Sequence, residues 1–128
     1  MTEPDQPGSL FTDQTFDGVD LPEPIQRAID DLGFTNLTKV QADVLPISLA
    51  GGDVVAQAQT GSGKTAAYLL TIFTHILRVP KSSPPEVPRA LIVAPTRELA
   101  VQISNDAESL GHHAGIRTHV VFGGLDYR

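Results

Sequence analysis

The stretch AQTGSGKT, Ala58 to Thr65, decides how this chain is read. It follows a short β-prone run, Asp53 to Gln57 (DVVAQ), and opens a run from Lys64 to Arg78 that is apolar on most faces. Strand, glycine turn, Lys-Thr and helix in that order are the setting a phosphate-binding loop requires. Gly61 and Gly63 can take backbone angles closed to other residues and leave room for phosphate oxygens. The N–H groups of Ala58, Gln59, Thr60, Gly61, Ser62 and Gly63 would turn toward those oxygens, with the helix N-terminus adding partial positive charge. Lys64 would neutralise the β and γ phosphates, and the Thr65 hydroxyl would hold Mg²⁺. The general pattern has Gly where this chain has Ala58, which is small enough to keep the turn tight. The alternative is a glycine-rich turn with an incidental Lys; the coincidence of strand, turn, Lys-Thr and helix argues against it.

Working outward, PKSSPPEVP (Pro80 to Pro88) reads as a loop with four prolines, and ALIVA (Ala90 to Ala94) as a strand covered on both faces. Pro95 ends that strand. Thr96 can cap a helix whose inner face is Leu99, Ile103, Ala107 and Leu110, stopped by Gly111. Ile116 to Phe122 reads as a third strand running into Gly123-Gly124. Upstream, Leu21, Ile25, Ala28, Ile29 and Leu32 share one helical face, with Asp20 as N-cap, Pro22 in the first turn and Gly33 at the end. A second helix is expected from Thr38 to about Leu49, kinked at Pro46. Residues 1–15 read as a flexible acidic leader. The order strand, helix, strand, helix, strand predicts an α/β fold: an open parallel sheet with flanking helices, holding about three strands. Ligands of such sheets sit at the carboxyl ends of the strands, where the loops Ala58–Gly63, Pro95–Thr96 and Gly123–Gly124 all emerge.

Composition narrows the classes. The chain has 128 residues, 41% hydrophobic, with 9 Lys+Arg against 15 Asp+Glu and no cysteine. That is at most one ordinary domain with enough apolar mass for a core, and no disulfide, Cys-zinc or thiol chemistry. Residues 1–20 hold five acids and no base, so the remainder is near neutral and bulk charge announces no nucleic-acid partner. No basic n-region marks a signal peptide, and the most apolar stretch, Thr65 to Val79, is too short to span a bilayer. A cytoplasmic protein without a membrane partner is expected. His112, His113 and His119 lack helical ligand spacing and read as a solvated loop. Asn36-Leu37-Thr38 is formally a glycosylation acceptor, but nothing directs the chain to a secretory route.

Two upstream segments admit plain readings. Thr38 followed three residues later by Gln41 is a capping box. Phe16 alone reads as a core residue. Yet GFTNLTKVQ (Gly33 to Gln41), AQTGSGKT, PTRELA (Pro95 to Ala100) and Gly123-Gly124, in that order, resemble the DEAD-box RNA helicase family. That family has an adenine-reading element G-F-x-x-P-T-x-x-Q before the phosphate loop, with an aromatic seventeen positions before its Gly. Here Phe16 lies seventeen before Gly33, Phe34 follows it, and Thr38 and Gln41 match the Thr and Gln. Leu37 replaces the usual Pro. Within the family, RALIVAPTRELAVQI is most similar to the bacterial RhlB type.

The resemblance implies a P-loop NTPase of RecA-like fold whose ligand is ATP with Mg²⁺, in an enzyme that unwinds or remodels RNA. Phe16 would stack on adenine and Gln41 would hydrogen-bond its edge. Pro95, Thr96, Arg97, Gly123 and Gly124 would contact an RNA backbone without reading sequence. RNA-processing or degradation partners would act through parts not in this stretch. The family's acidic Mg²⁺ and water motif, its Ser-Ala-Thr motif and its second domain do not occur in the sequence. The expectation is therefore an incomplete first domain over residues 16–128, inactive alone, whose phosphate-loop strand lacks its sheet neighbours. The competing readings are a P-loop ATPase without an RNA role and a non-enzymatic module that binds ATP or RNA.

Overall fold

The computed structural model describes residues 10–59, 61–79 and 87–123. Thr60, Gly124, most of the proline-rich loop and the first nine residues lie outside them.

Four helices enclose the core, and their ends follow local chemistry. α1, Glu23–Leu32, buries Ile25, Ala28 and Ile29. It ends at Gly33, whose φ of 75° lets the Phe34 N–H return to the Ile29 carbonyl at 3.1 Å. The expected N-cap, Asp20, does not cap it: Pro22 holds that position, and Asp20 pairs instead with Arg78 at 3.2 Å. α2, Lys39–Leu49, begins at the Thr38 capping box and carries Pro46 within it. α3, Lys64–Arg78, is the central helix and buries Ala67, Leu69, Leu70, Phe73 and Thr74. α4, Arg97–Leu110, starts where the Thr96 hydroxyl accepts the Leu99 N–H at 3.1 Å and buries Ile103, Ala107 and Leu110. The core joins Phe16, Leu21, Ile25, Ile29, Leu37, Leu45, Leu69, Leu70, Phe73, Ala107 and Leu110. α2 and α3 are pinned by polar contacts: the His75 ring N–H donates to the Ser48 carbonyl at 3.0 Å, and the Ser48 and Thr71 hydroxyls meet at 2.7 Å.

Two further expectations fail. First, residues 1–15 are not all leader. β1, Phe11–Thr15, pairs antiparallel with β2, Asn36–Thr38, and a turn of 3₁₀ helix at Phe16–Gly18 comes after it. FTDQT carries one large apolar side chain, so it gives no strand pattern; side-chain bonds to the partner strand supply what apolar burial does not. Second, the ranges 90–94 and 116–122 run without a ladder, as does 53–57, whose missing sheet neighbours are expected, and β1–β2 is the only sheet among the described residues. Val55 is 102% exposed, Leu91 87% and Val93 84%. Their apolarity alone reads as two-sided burial. A strand exists only against a partner backbone, however, and the described residues supply none.

Candidate nucleotide and nucleic-acid site

Gly61 and Gly63 both adopt a φ of 83°, so the loop curls left-handed twice before α3 begins. Gly63 is fixed for a second reason. A Cβ there would lie 2.5 Å from Gln41 Nε2 and 2.9 Å from Thr38 Oγ1. The loop is therefore packed directly on the capping box. Gln41 Nε2 donates to the Gly63 carbonyl at 3.1 Å, while its Oε1 accepts the Thr38 N–H at 2.9 Å. The Gln41 N–H closes the box by donating to Thr38 Oγ1 at 3.3 Å. The capping reading of Gln41 is thus realised, and the same side chain also ties α2 to the phosphate loop.

Lys64 is exposed and folds back so that Nζ donates to the Ala58 carbonyl at 3.2 Å. The Ser62 N–H donates to the Gln59 carbonyl at 3.2 Å. The Ser62 hydroxyl, by contrast, is buried and has no hydrogen-bond partner among the described residues. A turn at a helix N-terminus with a free hydroxyl, an ammonium on a long side chain and no room for a Cβ at Gly63 fits a phosphate chain. Thr65, half-buried on the first turn of α3, has the right donor for Mg²⁺ carried in on such a chain.

The two expected base contacts are less open. Phe16 is 2% exposed, its ring stacked on Phe34 at 6.1 Å, and Gln41 is 4% exposed with both amide ends engaged. Each end of the Gln41 amide keeps one further bonding position. A cleft of about 250 Å³ opens beside it, lined in part by Gly18, Val19, Leu37, Ala42 and Leu45. Gln26 escapes a reading of the sequence. Its Nε2 donates to the carbonyls of both Phe16 and Val19, at 3.0 and 3.1 Å, and so holds the Phe16–Gly18 turn. As a lone polar residue on a helix it gives no signal.

The PTRELA segment and the glycine segment meet. Arg97 Nη2 donates to the Gly123 carbonyl at 2.6 Å, and its guanidinium lies over the Phe122 ring at 5.5 Å. Pro95 and Thr96 are exposed beside it. Residues 26 positions apart in sequence are thus brought into contact.

The family model for DEAD/DEAH box helicases matches residues 38–128. The chain belongs to the DEAD/DEAH box helicase family. Among curated relatives of this family member, the ATP-dependent RNA helicase RhlB of Xanthomonas oryzae is 48% identical over 119 residues, covering 91% of this chain and 21% of that protein. RhlB of Vibrio atlanticus is 45% identical over 119 residues, with 91% and 27% covered. The chain thus spans about a fifth to a quarter of the length of these relatives. Among solved structures, the RNA helicase Prp28 of Chaetomium thermophilum bound to ADP aligns with a TM-score of 0.73 at 35% identity, over 83% of this chain and 26% of that one. A hypothetical ATP-dependent RNA helicase of Sulfolobus tokodaii aligns with a TM-score of 0.72 at 36% identity, over 84% and 29%. The fold is that of a RecA-like α/β domain of DEAD-box helicases, represented here by its helices and a short sheet. No helix among the described residues is long and apolar enough to cross a membrane.

Proposed function

We propose that this stretch is the ATP-binding front of an ATP-dependent RNA helicase acting in the cytoplasm. The observation that carries the reading is the left-handed turn at Gly61 and Gly63, closed on Thr38 and Gln41 and leading into α3 behind Lys64. Lys64 leaves the Ala58 carbonyl for the β and γ phosphates, a stronger charge-assisted partner. The loop N–H groups from Ala58 through Gly63, Thr60 included, and the Ser62 hydroxyl hold the remaining oxygens. Thr65 would hold Mg²⁺, which would supply positive charge to the phosphates.

Adenine lies near Phe16 and Gln41, with Gly33, Phe34 and Thr38 shaping the segment that presents them. Stacking on Phe16 requires its buried face to be uncovered, so purine binding is coupled to movement of the Phe16–Gly18 turn. Pro95, Thr96, Arg97, Gly123 and Gly124 meet an RNA backbone. The Arg97–Gly123 contact supports this role by bringing two of the expected segments to one place.

The test is Lys64→Ala in the protein at its natural length. Loss of ATP binding, read by isothermal titration, is expected; unchanged affinity overturns the phosphate-loop assignment. RNA-stimulated ATP turnover by the same protein separates a helicase from a P-loop ATPase without an RNA role.

A further inference from the structure

We propose that the β1–β2 ribbon positions the base-reading pair, through Thr12 and Asn36. The inference rests on the reading of Phe16 and Gln41 as adenine contacts. Those two residues are 25 apart in sequence, yet both hang directly on the ribbon. Phe16 comes directly after the last residue of β1, and Thr38, the last residue of β2, exchanges two hydrogen bonds with Gln41. The ribbon therefore sets where one reader stands relative to the other.

Its geometry is held by side chains. The pairs Phe11–Thr38 and Thr15–Asn36 are out of plain register, with a shift between them. Thr12 lies within the shifted span. Its hydroxyl donates to the Leu37 carbonyl at 3.0 Å and accepts the Gln14 N–H at 3.2 Å. Asn36 Nδ2 donates to the Thr12 carbonyl at 2.9 Å. Backbone bonds from Lys39 N–H to the Leu10 carbonyl (3.2 Å) and from Phe16 N–H to the Thr35 carbonyl (2.9 Å) close the two ends. A break in the ladder's register changes the course of the strand beyond it, and β1 leads straight into Phe16.

Leu37 points the same way. The family pattern has Pro there, whose ring fixes φ. Leu37 leaves φ free, and the Thr12 hydroxyl restrains the same residue through its carbonyl instead. Thr12 and Asn36 are positioning residues: neither belongs to the proposed phosphate or base contacts, and both are half-buried.

The experiment measures binding of ATP, GTP and inorganic tripolyphosphate to the protein at its natural length, unaltered and as Thr12→Val, Asn36→Leu and Thr12→Ser. Losing one such bond should weaken ATP binding by about three- to tenfold. Tripolyphosphate affinity should not change, and Thr12→Ser should retain ATP affinity. Unchanged ATP affinity in both Thr12→Val and Asn36→Leu overturns the proposal, as does a parallel fall for ATP and tripolyphosphate, which signals general loosening. If the unaltered protein prefers ATP to GTP and the variants bind ATP as it does, only the ribbon's role is lost. If the unaltered protein shows no preference, the base-reading assignment itself fails and takes the ribbon with it.

Discussion

At Gly63 two constraints coincide, and either alone would select glycine. The φ of 83° strains any side chain, and a Cβ would overlap Gln41 Nε2. Gly63→Ala should destabilise by about 2 kcal/mol or more, the left-handed cost plus the contact, and should break the Gln41–Gly63 bond; chemical denaturation checks it. Gln41→Ala removes a cap and that loop bond together. A loss of about 1–2 kcal/mol in stability is expected, with erosion of ATP-over-GTP preference; a drop in melting temperature without a change in preference would leave Gln41 a cap only. Thr74 is a different case. It is fully buried in α3, and its hydroxyl has no partner among the described residues. Thr74→Val keeps the shape and removes the orphan, so it should raise stability by about 1 kcal/mol in the same assay.

Among the elements, helices are legible in the sequence and strands are not. α3 begins and ends where its sequence says, and α2 and α4 start one residue after Thr38 and Thr96, because caps and terminal glycines act within a few residues. The pairing of β1 with β2 joins residues more than twenty apart and is braced by Thr12 and Asn36 side chains, whose bonds no local pattern announces. One contact between elements is pH-sensitive. His113, in the 3₁₀ turn His112–Ala114, bonds the carboxylate of Asp31 on α1, and this bond, with help from Arg27 and His112, holds Asp31 below the ordinary carboxylate value of 3.8. A depressed folded value adds stability above that pH and withdraws it as pH falls further. Asp31→Asn should therefore flatten the fall in urea midpoint below about pH 4. An unchanged acid limb would show that the contact does not matter to stability.

For the whole molecule, the apolar segments at 53–57, 90–94 and 116–122 decide behaviour in isolation. Val55, Leu91, Val93 and Val121 are mostly exposed, and the backbone beside them has no ladder. Exposed apolar strands of this kind pair with other chains. These 128 residues on their own should bind a hydrophobic dye and self-associate as concentration rises; a concentration-independent, cooperative melt above about 65 °C would contradict this. The site is more legible than the sheet. The phosphate loop is a local motif whose left-handed turns fall on its own glycines, and Arg97 of PTRELA meets Gly123. The lock between Gln41 and the loop stays hidden, since no spacing rule reports a contact between a helix cap and a turn 22 residues away.

The phosphate-loop and base assignments are both tested most directly by a crystal structure of the protein at its natural length with Mg²⁺ and a non-hydrolysable ATP analogue. The phosphate chain should be wrapped by Gly61 to Thr65, with Lys64 moved off Ala58 and the purine beside Gln41 and Phe16. A purine held elsewhere would contradict the base assignment, and a turn left unchanged at saturating analogue would contradict the phosphate-loop assignment.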